Sequence, residues 1–421
     1  MTKSEILNQF GIEADEREIK PIGNGHINDT FRAVDRRTGR AYILQRINHN
    51  VFRDVDLLQS NIEKVTAHIR SKLETQGERD IDRKVVTLIK LTDSDRTYIR
   101  NDDGSYWRVM LMIENADTRE SITPENARHA GVAFGRFQEM LSDMDQEIGE
   151  SIPDFHNMEL RLHQLDDAII TNVAGRFDGV RDLVNELKKR TDRACLAERL
   201  YREGKLPKRI CHCDTKINNM LFDSNGEVLC VIDLDTVMPS FVFSDFGDFL
   251  RTAANKGEED DKDLSRVEFD MDIYTAFREG YLESAGGFLT DTEIENLPYA
   301  AERFAYMQAV RFLTDYLNGD TYYHITCPDH NLVRARALFK LLQSIEANFK
   351  NMTLTLFPDS AYSTCSAKRR LKVASGLDVN PVRILVDVKK NDFRHAEPQC
   401  PCHLTADELC NQGLGAMSYA T

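Results

Sequence analysis

The chain has 421 residues, more than one typical domain needs, so we expect two lobes or two domains. It carries 54 Lys plus Arg against 69 Asp plus Glu, and the formal charge of -15 disfavours a broad surface for nucleic acid or anionic membranes. The sequence has no run of about 18 apolar residues, and its N-terminus lacks the apolar core of a signal peptide, which predicts a cytoplasmic protein without nucleic-acid or membrane partners. The nine Cys have irregular spacings in a long, core-forming chain, so we expect reduced thiols.

The first predicted unit is a strand, a turn and a strand, after a short helix over residues 2–10. The turn contains Gly23 and Gly25, and glycines at such a turn let backbone N–H groups approach the phosphates of a nucleotide. Two glycines are a weak signal, and an ordinary hairpin turn explains them equally well. His26 is a polar side chain in the same turn and is a candidate substrate contact.

The next strand, residues 41–47, stands where protein kinases carry their phosphate-pairing Lys. That position holds Gln45 or Arg46 here, and because side chains alternate along a strand, only one of the two points inward. An amphipathic helix over residues 54–73 follows. Glu63 lies where the kinase helix glutamate would be, although a solvated acid on the helix surface is an equal alternative.

Three more strands are predicted over residues 84–92, 96–100 and 105–113. The last runs into a polar stretch that begins at Glu114. Such a stretch suits a hinge between two lobes, where backbone groups hydrogen-bond to an adenine. We therefore expect residues 1–114 to form a nucleotide-binding N-lobe.

From Thr123 onward the apolar residues recur with a helical period. Helices are predicted over residues 124–144, 158–173, 181–203, 273–283, 293–316 and 331–349. A strand-rich first third and a helix-rich remainder predict an α+β fold of two lobes. The N-lobe holds a small antiparallel sheet, the larger and mostly helical C-lobe spans residues 115–351 and carries the substrate site, and a cleft separates them.

The most informative stretch is residues 210–235 in the C-lobe. His212, Cys213 and Asp214 are followed, five residues after the Asp, by Asn219, which is the spacing of the protein-kinase catalytic loop. At this spacing Asp214 accepts the proton of a substrate hydroxyl, and the amide oxygen of Asn219 coordinates a Mg²⁺ ion on the phosphates. His212 is assigned a structural role.

A predicted hairpin follows the loop. A turn at residues 223–226 leads into the apolar run 228–232, which ends at Asp233. The turn brings the far ends of the two strands together, so Asp233 is predicted as a second Mg²⁺ ligand. Asp235 is predicted as a substrate contact or as a support for the metal ligands. A solvated surface loop is the alternative, since most Asp-rich turns are of that kind.

Residues 245–247 read Asp-Phe-Gly, which a motif search would assign to metal binding in protein kinases. They begin 26 residues after Asn219, whereas Asp233 follows Asn219 by 14. We expect no paired strand before Asp245 and the start of a helix around it. Asp245 is therefore predicted to be structural, accepting N–H groups either at the helix start or from the catalytic loop.

Residues 352–421 differ in composition from the rest of the chain. They hold eight Lys plus Arg and seven Asp plus Glu, so they are nearly neutral, and they contain four of the nine Cys. A loosely ordered tail of unknown role is expected. The alternative is a zinc site, either in the tail or at the C-x-C of the catalytic loop. The tail residues concerned are Cys400, Cys402, His403 and Cys410.

Over about residues 5–350 the chain resembles the aminoglycoside phosphotransferase-like kinases. The superfamily pattern lies in residues 23–28 and 214–219. The segments I-D-L-D-T-V-M-P at 232–239 and R-F-L-T-D-Y-L at 311–317 are similar to those of a narrower group that phosphorylates N-acetylhexosamines.

This resemblance implies ATP- and Mg²⁺-dependent phosphorylation of the anomeric hydroxyl of N-acetylglucosamine or N-acetylgalactosamine. It places Asp214 at the hydroxyl, Asn219 and Asp233 on the metal, and Arg311 on the sugar. From the residues alone, Arg311 lies in an apolar helix, where a structural salt bridge is an equal alternative.

Other interpretations stay open. A kinase of choline, homoserine or an aminoglycoside is the nearest rival. A pseudokinase that binds nucleotide or sugar belongs to a different class; the missing strand Lys favours it, and the intact Asp214 and Asn219 oppose it. Two positions, Cys213 and Ser240, depart from the sugar kinase group without replacing a group that does chemistry.

Overall fold

The structure is a computed structural model that describes residues 1–23, 27–119 and 122–356. The described residues belong to one compact unit, and residues 363–421 lie outside the described part. The expected loosely ordered tail and the alternative of a zinc site in it both concern residues outside the described part, and neither is tested. Within the described ranges, none of the helices combines the length and apolar character that crossing a membrane requires.

The first lobe is a five-stranded antiparallel sheet with the strand order β1-β2-β3-β5-β4. The strands are β1 (Lys20–Pro21), β2 (Asp29–Val34), β3 (Ala41–Ile47), β4 (Tyr98–Arg100) and β5 (Tyr106–Leu111). Helix α1 (Lys3–Gln9) contributes to an apolar layer on one side, around Leu44 and Val109. Helix α2 (Val55–Thr75) belongs to a second layer, which also contains Leu234 and Val237 from the region after the predicted hairpin. The second layer therefore joins the sheet lobe to the catalytic region.

The prediction of a strand over residues 84–92 is wrong. The chain runs beside β5, but it pairs through one isolated bridge between Leu88 and Met110 and through scattered backbone bonds, such as Ile89 N–H to the Val109 carbonyl (2.9 Å). The run bonds to β5 and to the end of α1 at scattered positions without forming a continuous ladder. Composition alone does not distinguish a paired strand from an irregular segment with scattered backbone bonds.

The second lobe is mostly helical. Its helices are α3 (Pro124–Leu141), α4 (Met158–Thr171), α5 (Arg181–Lys188), α6 (Thr191–Ala194), α7 (Leu196–Arg202), α8 (Phe243–Ala253), α9 (Met271–Ala285), α10 (Asp291–Glu295), α11 (Leu297–Leu317) and α12 (His330–Leu356). The single helix predicted over residues 181–203 is broken into three, and a break at Asn296 separates α10 from α11. The prediction of an α+β fold with a small antiparallel sheet and a larger helical region is confirmed.

Four short strands carry the catalytic region. Strand β6 (Arg209–Cys211) pairs with β9 (Met238–Ser240), and β7 (Met220–Phe222) pairs with β8 (Val228–Val231). The predicted hairpin is therefore present. The expectation that no paired strand precedes Asp245 is wrong, because β9 lies just before α8 and pairs with β6.

The predicted start of the tail falls inside α12. This helix continues to Leu356, and Met352 is fully buried with its carbonyl accepting a hydrogen bond from the Tyr274 hydroxyl (3.4 Å). We propose that the catalytic unit ends with this helix. The boundary at residue 351 removes Met352 from a packed core.

Two shortened chains test this boundary. A chain ending at residue 356 is expected to stay soluble and active. A chain ending at residue 351 should lose about 2–5 kcal/mol of unfolding free energy, because deletion of a buried Met side chain leaves a cavity. Chemical denaturation of the two chains measures the difference. Loss of turnover in the longer chain would show that residues 357–421 are needed for activity.

Candidate active site

The catalytic loop, residues 212–219, is anchored from beneath by Asp245 on α8. The carboxylate of Asp245 accepts hydrogen bonds from the backbone N–H groups of His212 (2.9 Å) and Cys213 (2.8 Å), and from the side-chain amide of Gln138 (2.7 Å). Cys213 has a φ of 63°, a left-handed conformation that these bonds help to hold. The first residues of α8 receive no side-chain cap. Of the two arrangements left open by the sequence, the structure therefore shows the bonds to the loop.

The neighbouring glycine explains why the chain contains a literal Asp-Phe-Gly here. A Cβ atom on Gly247 would lie 2.2 Å from the backbone oxygen of Ala300, so only glycine allows α8 to approach α11 this closely. Phe246 is buried against Phe277 and Tyr281. All three residues of the triplet thus have packing or loop-anchoring roles.

Asp245→Ala is expected to lower the unfolding free energy by about 3 kcal/mol or more. The substitution leaves two buried N–H groups without an acceptor, and each unpaired buried group costs about 1–3 kcal/mol. The Gln138 amide keeps only its contact to the Cys211 sulfur (3.6 Å). Urea denaturation of the variant measures this loss. The Mg²⁺ concentration dependence of any remaining turnover should match that of the wild type, and a changed dependence would contradict the structural role.

His212 links the catalytic loop to the end of the hairpin. It is fully buried, its Nδ1 accepts the Asp214 N–H (3.3 Å), and its Nε2 lies 2.8 Å from the Ile232 carbonyl. Because Nδ1 accepts here, the hydrogen is assigned to Nε2, which then donates to the carbonyl. Phe134 and Phe137 contact the ring edge-on. This geometry supports the structural role proposed for His212.

Asp214 has two polar neighbours on its own loop. Its carboxylate lies 2.9 Å from the ammonium of Lys216, and the side-chain amide of Asn219 donates to its backbone oxygen (2.8 Å) and to its carboxylate (3.2 Å). Burial alone would raise the pKa of Asp214, but the Lys216 ammonium outweighs it and the net pKa is lowered. About a quarter of the side chain (23%) stays exposed. Asp214 is thus ionised at neutral pH and reachable.

Asp233 stands directly after β8, in a left-handed conformation (φ 60°). The N–H of Ile232 donates to the backbone oxygen of Asn219 (2.9 Å), so Asn219 and Asp233 emerge at the same end of the hairpin. Burial first, and then the carboxylates of Asp235 and Asp214, together raise the pKa of Asp233 to about 6. The side chain is nevertheless exposed, and it has no hydrogen-bond or ion-pair partner in the described ranges. The Asp233 carboxylate is thus surrounded by protein on most sides but accessible to solvent on one side.

Asp235 is engaged by the sheet lobe. Its carboxylate forms a buried ion pair with Arg108 on β5 and accepts a hydrogen bond from the side-chain amide of Asn28 (2.7 Å). Its backbone oxygen accepts from the Ser151 hydroxyl (2.8 Å). Of its two predicted roles, this arrangement favours that of a support for the neighbouring Asp233, and it leaves the carboxylate little freedom to contact a substrate.

Gln45 and Arg46 point to opposite sides of β3. Gln45 points toward Arg108, whose guanidinium donates two hydrogen bonds to its side-chain oxygen (2.9 and 2.6 Å). Arg46 is on the outer side, 47% exposed, and its nearest acid is Asp29 at 3.6 Å. The strand therefore offers no inward cation of its own. On α2, Glu63 accepts a hydrogen bond from a threonine and does not pair with a cation among the described residues.

The remaining nucleotide positions are partly described. Gly23 has a φ of 74°, in the region glycine favours, whereas Gly25 and His26 lie outside the described residues. At the predicted hinge, the side chain of Arg83 donates to the carbonyls of Glu114 and Asn115, both at 3.3 Å. These weak bonds leave the backbone of the hinge accessible to a competing donor.

Arg311 lines a cavity of about 520 Å³ between α4, α11 and the segment that follows α11. No acid pairs with it in the described part of the chain, so the salt bridge considered from the sequence is not found. Its guanidinium instead stacks on the rings of Phe155, Tyr322 and Tyr323 at 5.2–5.9 Å and donates to Gln308 (2.7 Å). Asp214 does not line this cavity.

Two residues with polar roles at this site were missed by the sequence analysis. Lys216 stands two positions after Asp214 in extended backbone, so both side chains fall on one side, and that spacing was a usable signal. Arg108 carried no such signal. Its importance follows from the strand register, which places it opposite Gln45.

A small antiparallel sheet, a larger helical lobe and a catalytic loop with an adjacent hairpin define a two-lobed, kinase-like phosphotransferase. The family model described as the phosphotransferase enzyme family matches residues 18–293, more than half of the chain, and the chain belongs to this family.

The fold is also found among solved structures. The chain is similar to an aminoglycoside phosphotransferase from Alicyclobacillus acidocaldarius, with 13% identity and a TM-score of 0.55 over 85% of this chain and 96% of that one. It is further similar to a choline kinase from Cryptosporidium parvum, with 13% identity and a TM-score of 0.48 over 82% of this chain and 94% of that one. At 13% identity, the similarity to the aminoglycoside phosphotransferase shows that the two proteins share a fold.

Proposed function

We propose that this phosphotransferase moves the γ-phosphoryl group of ATP to the anomeric hydroxyl of an N-acetylhexosamine, N-acetylglucosamine or N-acetylgalactosamine, to give the sugar 1-phosphate. The observation that carries the proposal is the grouping of the Asp214, Asn219 and Asp233 side chains at one end of the hairpin. The choice of sugar is supported by the resemblance of residues 232–239 and 311–317 to the N-acetylhexosamine group. A cytoplasmic location is proposed from the sequence alone.

The residues present suit Mg²⁺. Asp233 is a carboxylate without a protein partner in the described ranges. Its pKa is raised by burial and then by the carboxylates of Asp235 and Asp214, and a divalent cation would stabilise the charged form. The amide oxygen of Asn219 points away from its own hydrogen bonds, which use the amide nitrogen. Among the described residues no three His, Cys, Asp or Glu side chains form a metal cage. Mg²⁺ is commonly held by one or two carboxylates, with phosphate oxygens completing its shell. The ion would neutralise charge on the phosphates.

In the proposed reaction Asp214 orients the sugar hydroxyl and takes its proton. The hydroxyl oxygen forms a bond to the γ-phosphorus while the bond from that phosphorus to the bridging oxygen breaks, and ADP leaves. A lowered pKa makes Asp214 a weak base, which suits a loose transition state that needs little proton transfer before the new bond forms. Lys216, 45% exposed and beside Asp214, supplies positive charge where the transferred group would pass.

Arg311 is proposed as the sugar contact, on the resemblance and on its unpaired charge. Its aromatic neighbours Tyr322 and Tyr323 offer apolar faces, and its free donors suit hydroxyl or acetamido oxygens. The same cavity wall includes Arg161, whose pKa is lowered to about 10 by burial and then by Arg311. The wall also contains Asp167 and Asp315, so its charges balance, and the preference for a sugar over choline or an aminoglycoside rests on the resemblance.

The nucleotide is assigned to the sheet lobe. Gly23, Gly25 and the hinge at Glu114 are proposed to contact it, whereas the side-chain oxygen of Gln45 is occupied by Arg108. Arg46 and Glu63 are proposed as nucleotide contacts from the sequence alone. In the structure Arg46 lies near Asp29, and Glu63 accepts a hydrogen bond from Thr97. His26 is proposed to reach the substrate.

A coupled ADP-release assay tests the function across N-acetylhexosamines, plain hexoses and amino alcohols. We expect turnover with N-acetylglucosamine or N-acetylgalactosamine, and none with their 1-O-methyl glycosides, in which the anomeric hydroxyl is blocked. The glycosides are matched controls because the rest of the sugar is unchanged. Faster turnover with choline or another amino alcohol would contradict the proposed substrate class, and absence of turnover with every acceptor would favour a binding protein.

A further inference from the structure

The buried cation of the sheet lobe is Arg108, which lies on β5 and not on the third strand. In protein kinases a Lys on the third strand pairs with a Glu of the neighbouring helix and contacts the phosphates. Here the third strand carries Gln45, and the helix residue Glu63 binds the hydroxyl of Thr97 (2.5 Å). Arg108 lies directly opposite Gln45 on the adjacent strand β5.

Three side chains hold the guanidinium of Arg108. Its Nε and Nη2 donate to the side-chain oxygen of Gln45 at 2.9 and 2.6 Å, and its Nη1 donates to the side-chain oxygen of Gln59 on α2 at 3.0 Å. Nη2 also pairs with the carboxylate of Asp235. The side chains of Arg108 and Asp235 are only 3% and 4% exposed. The orientation of the guanidinium is therefore fully determined by protein atoms.

The ion pair connects the sheet lobe to the metal-binding end of the hairpin. Asp235 stands two residues after Asp233, in a short helical turn over residues 234–236. Asn28 holds the second carboxylate oxygen of Asp235. On the other side of Asp233, Ile232 is tied to Asn219 and to a ring nitrogen of His212. Among the described residues the Asp233 side chain has no partner, so its position depends on how Ile232 and Asp235 are held.

Stability alone explains this ion pair poorly. Burying two charges costs several kcal/mol per ion, and replacing such a pair by apolar residues of similar volume is often neutral or stabilising. The contacts do, however, fix a short segment with left-handed backbone next to an open carboxylate. An ordered geometry is what a metal ligand requires.

We infer that Arg108 is a positioning residue for the metal-binding carboxylate. Acting through Asp235, it fixes the segment that carries Asp233 and joins it to the nucleotide-binding sheet. An arginine on β5, oriented by Gln45 and Gln59, thus replaces the strand lysine and helix glutamate of other kinase-like folds. This inference rests on the Mg²⁺ role proposed above for Asp233.

The test replaces the pair by apolar residues, as Arg108→Met with Asp235→Leu, so that no unpaired charge stays buried. Calorimetry then measures the affinity for ADP with and without Mg²⁺. We expect the affinity for Mg²⁺·ADP to fall about 10- to 100-fold, the usual effect of removing a partner that orients a metal ligand. Affinity for ADP without Mg²⁺ should stay within about twofold of the wild type, since the sheet and hinge are unchanged.

A matched control replaces an ion pair away from the metal-binding segment. Arg190 and Glu346 pair at 2.6 Å between the end of α5 and α12, and Arg190→Met with Glu346→Leu should leave both ADP affinities unchanged. Arg108→Lys is a milder variant that keeps the charge but lacks the fork needed to reach Gln45, Gln59 and Asp235 together. We expect it to lose Mg²⁺·ADP affinity several-fold, and it carries the test if the double variant does not fold.

Wild-type Mg²⁺·ADP affinity in the folded Arg108 variants would overturn the inference, and so would equal losses with and without Mg²⁺, which indicate general damage to the nucleotide site. A wild-type protein that does not bind Mg²⁺·ADP would overturn the proposed function as well. The two failures are therefore distinguishable.

Discussion

Replacing Asp214 by Asn is expected to lower kcat by about 10²- to 10⁴-fold, which is the usual contribution of a positioned base. The substituted side chain keeps the shape of the loop, because Asn219 still donates to the backbone oxygen of residue 214. It lacks the carboxylate that accepts the proton and that pairs with Lys216. Nucleotide binding should change little, since the proposed nucleotide contacts lie in the sheet lobe.

Steady-state kinetics and calorimetry with Mg²⁺·ATP separate the two effects. Asp95→Asn is a suitable control, because it makes the same chemical change at a side chain that is 96% exposed, and it should leave kcat unchanged. Near-normal turnover of Asp214→Asn would remove the role assigned to Asp214. Equal losses of binding and turnover would mean that the residue supports the nucleotide and not the hydroxyl.

Asp233→Asn is expected to reduce turnover by about 10² or more while stabilising the fold at neutral pH. Loss of a charged metal ligand removes charge stabilisation of the transferred group. Asn is the better substitution than Ala here, since it tolerates the left-handed backbone of residue 233. Initial rates over a range of Mg²⁺ concentrations measure the first effect, and thermal unfolding without ligands measures the second.

The stabilisation follows from the raised pKa of Asp233. The folded protein binds a proton at this carboxyl more tightly than the unfolded chain does, with a pKa of about 6 against an ordinary 3.8. Its contribution to stability is therefore complete at low pH and is lost as the pH rises through 6. The gain in Tm from Asp233→Asn should be largest at neutral pH and should vanish as the pH falls towards 3.8. A variant that is destabilised at neutral pH would contradict the raised pKa of Asp233.

Local patterns in the sequence were sufficient for the catalytic hairpin. The spacing of Asp214, Asn219 and Asp233 depends on one loop and one turn, and such short-range geometry is encoded in neighbouring residues. The helical lobe was recognised for the same reason, because apolar residues at a helical period report on one element at a time. The helix predicted over residues 181–203 shows the limit, since a periodic pattern does not reveal two tight breaks.

Features that depend on tertiary contacts were beyond the sequence. Asp245 was predicted to hold either its own helix or the catalytic loop, and only the packing of α8 beneath the loop decides between them. Arg108 reads as one polar residue in an apolar strand. Its link to Asp235, 127 positions away, requires the sheet register and the contact between the two lobes. The end of α12 was misplaced because Met352 is held by a core that composition does not show.

We propose that the protein phosphorylates the anomeric hydroxyl of an N-acetylhexosamine, and this proposal can be tested on the product. It is tested most directly by incubating the purified protein with ATP, Mg²⁺ and N-acetylglucosamine or N-acetylgalactosamine and recording proton–phosphorus correlation spectra of the products. The account predicts one new phosphate monoester whose phosphorus couples to the anomeric proton, formed in step with ADP and absent with Asp214→Asn. Phosphate on any other hydroxyl, or ADP formed together with free inorganic phosphate, would contradict it.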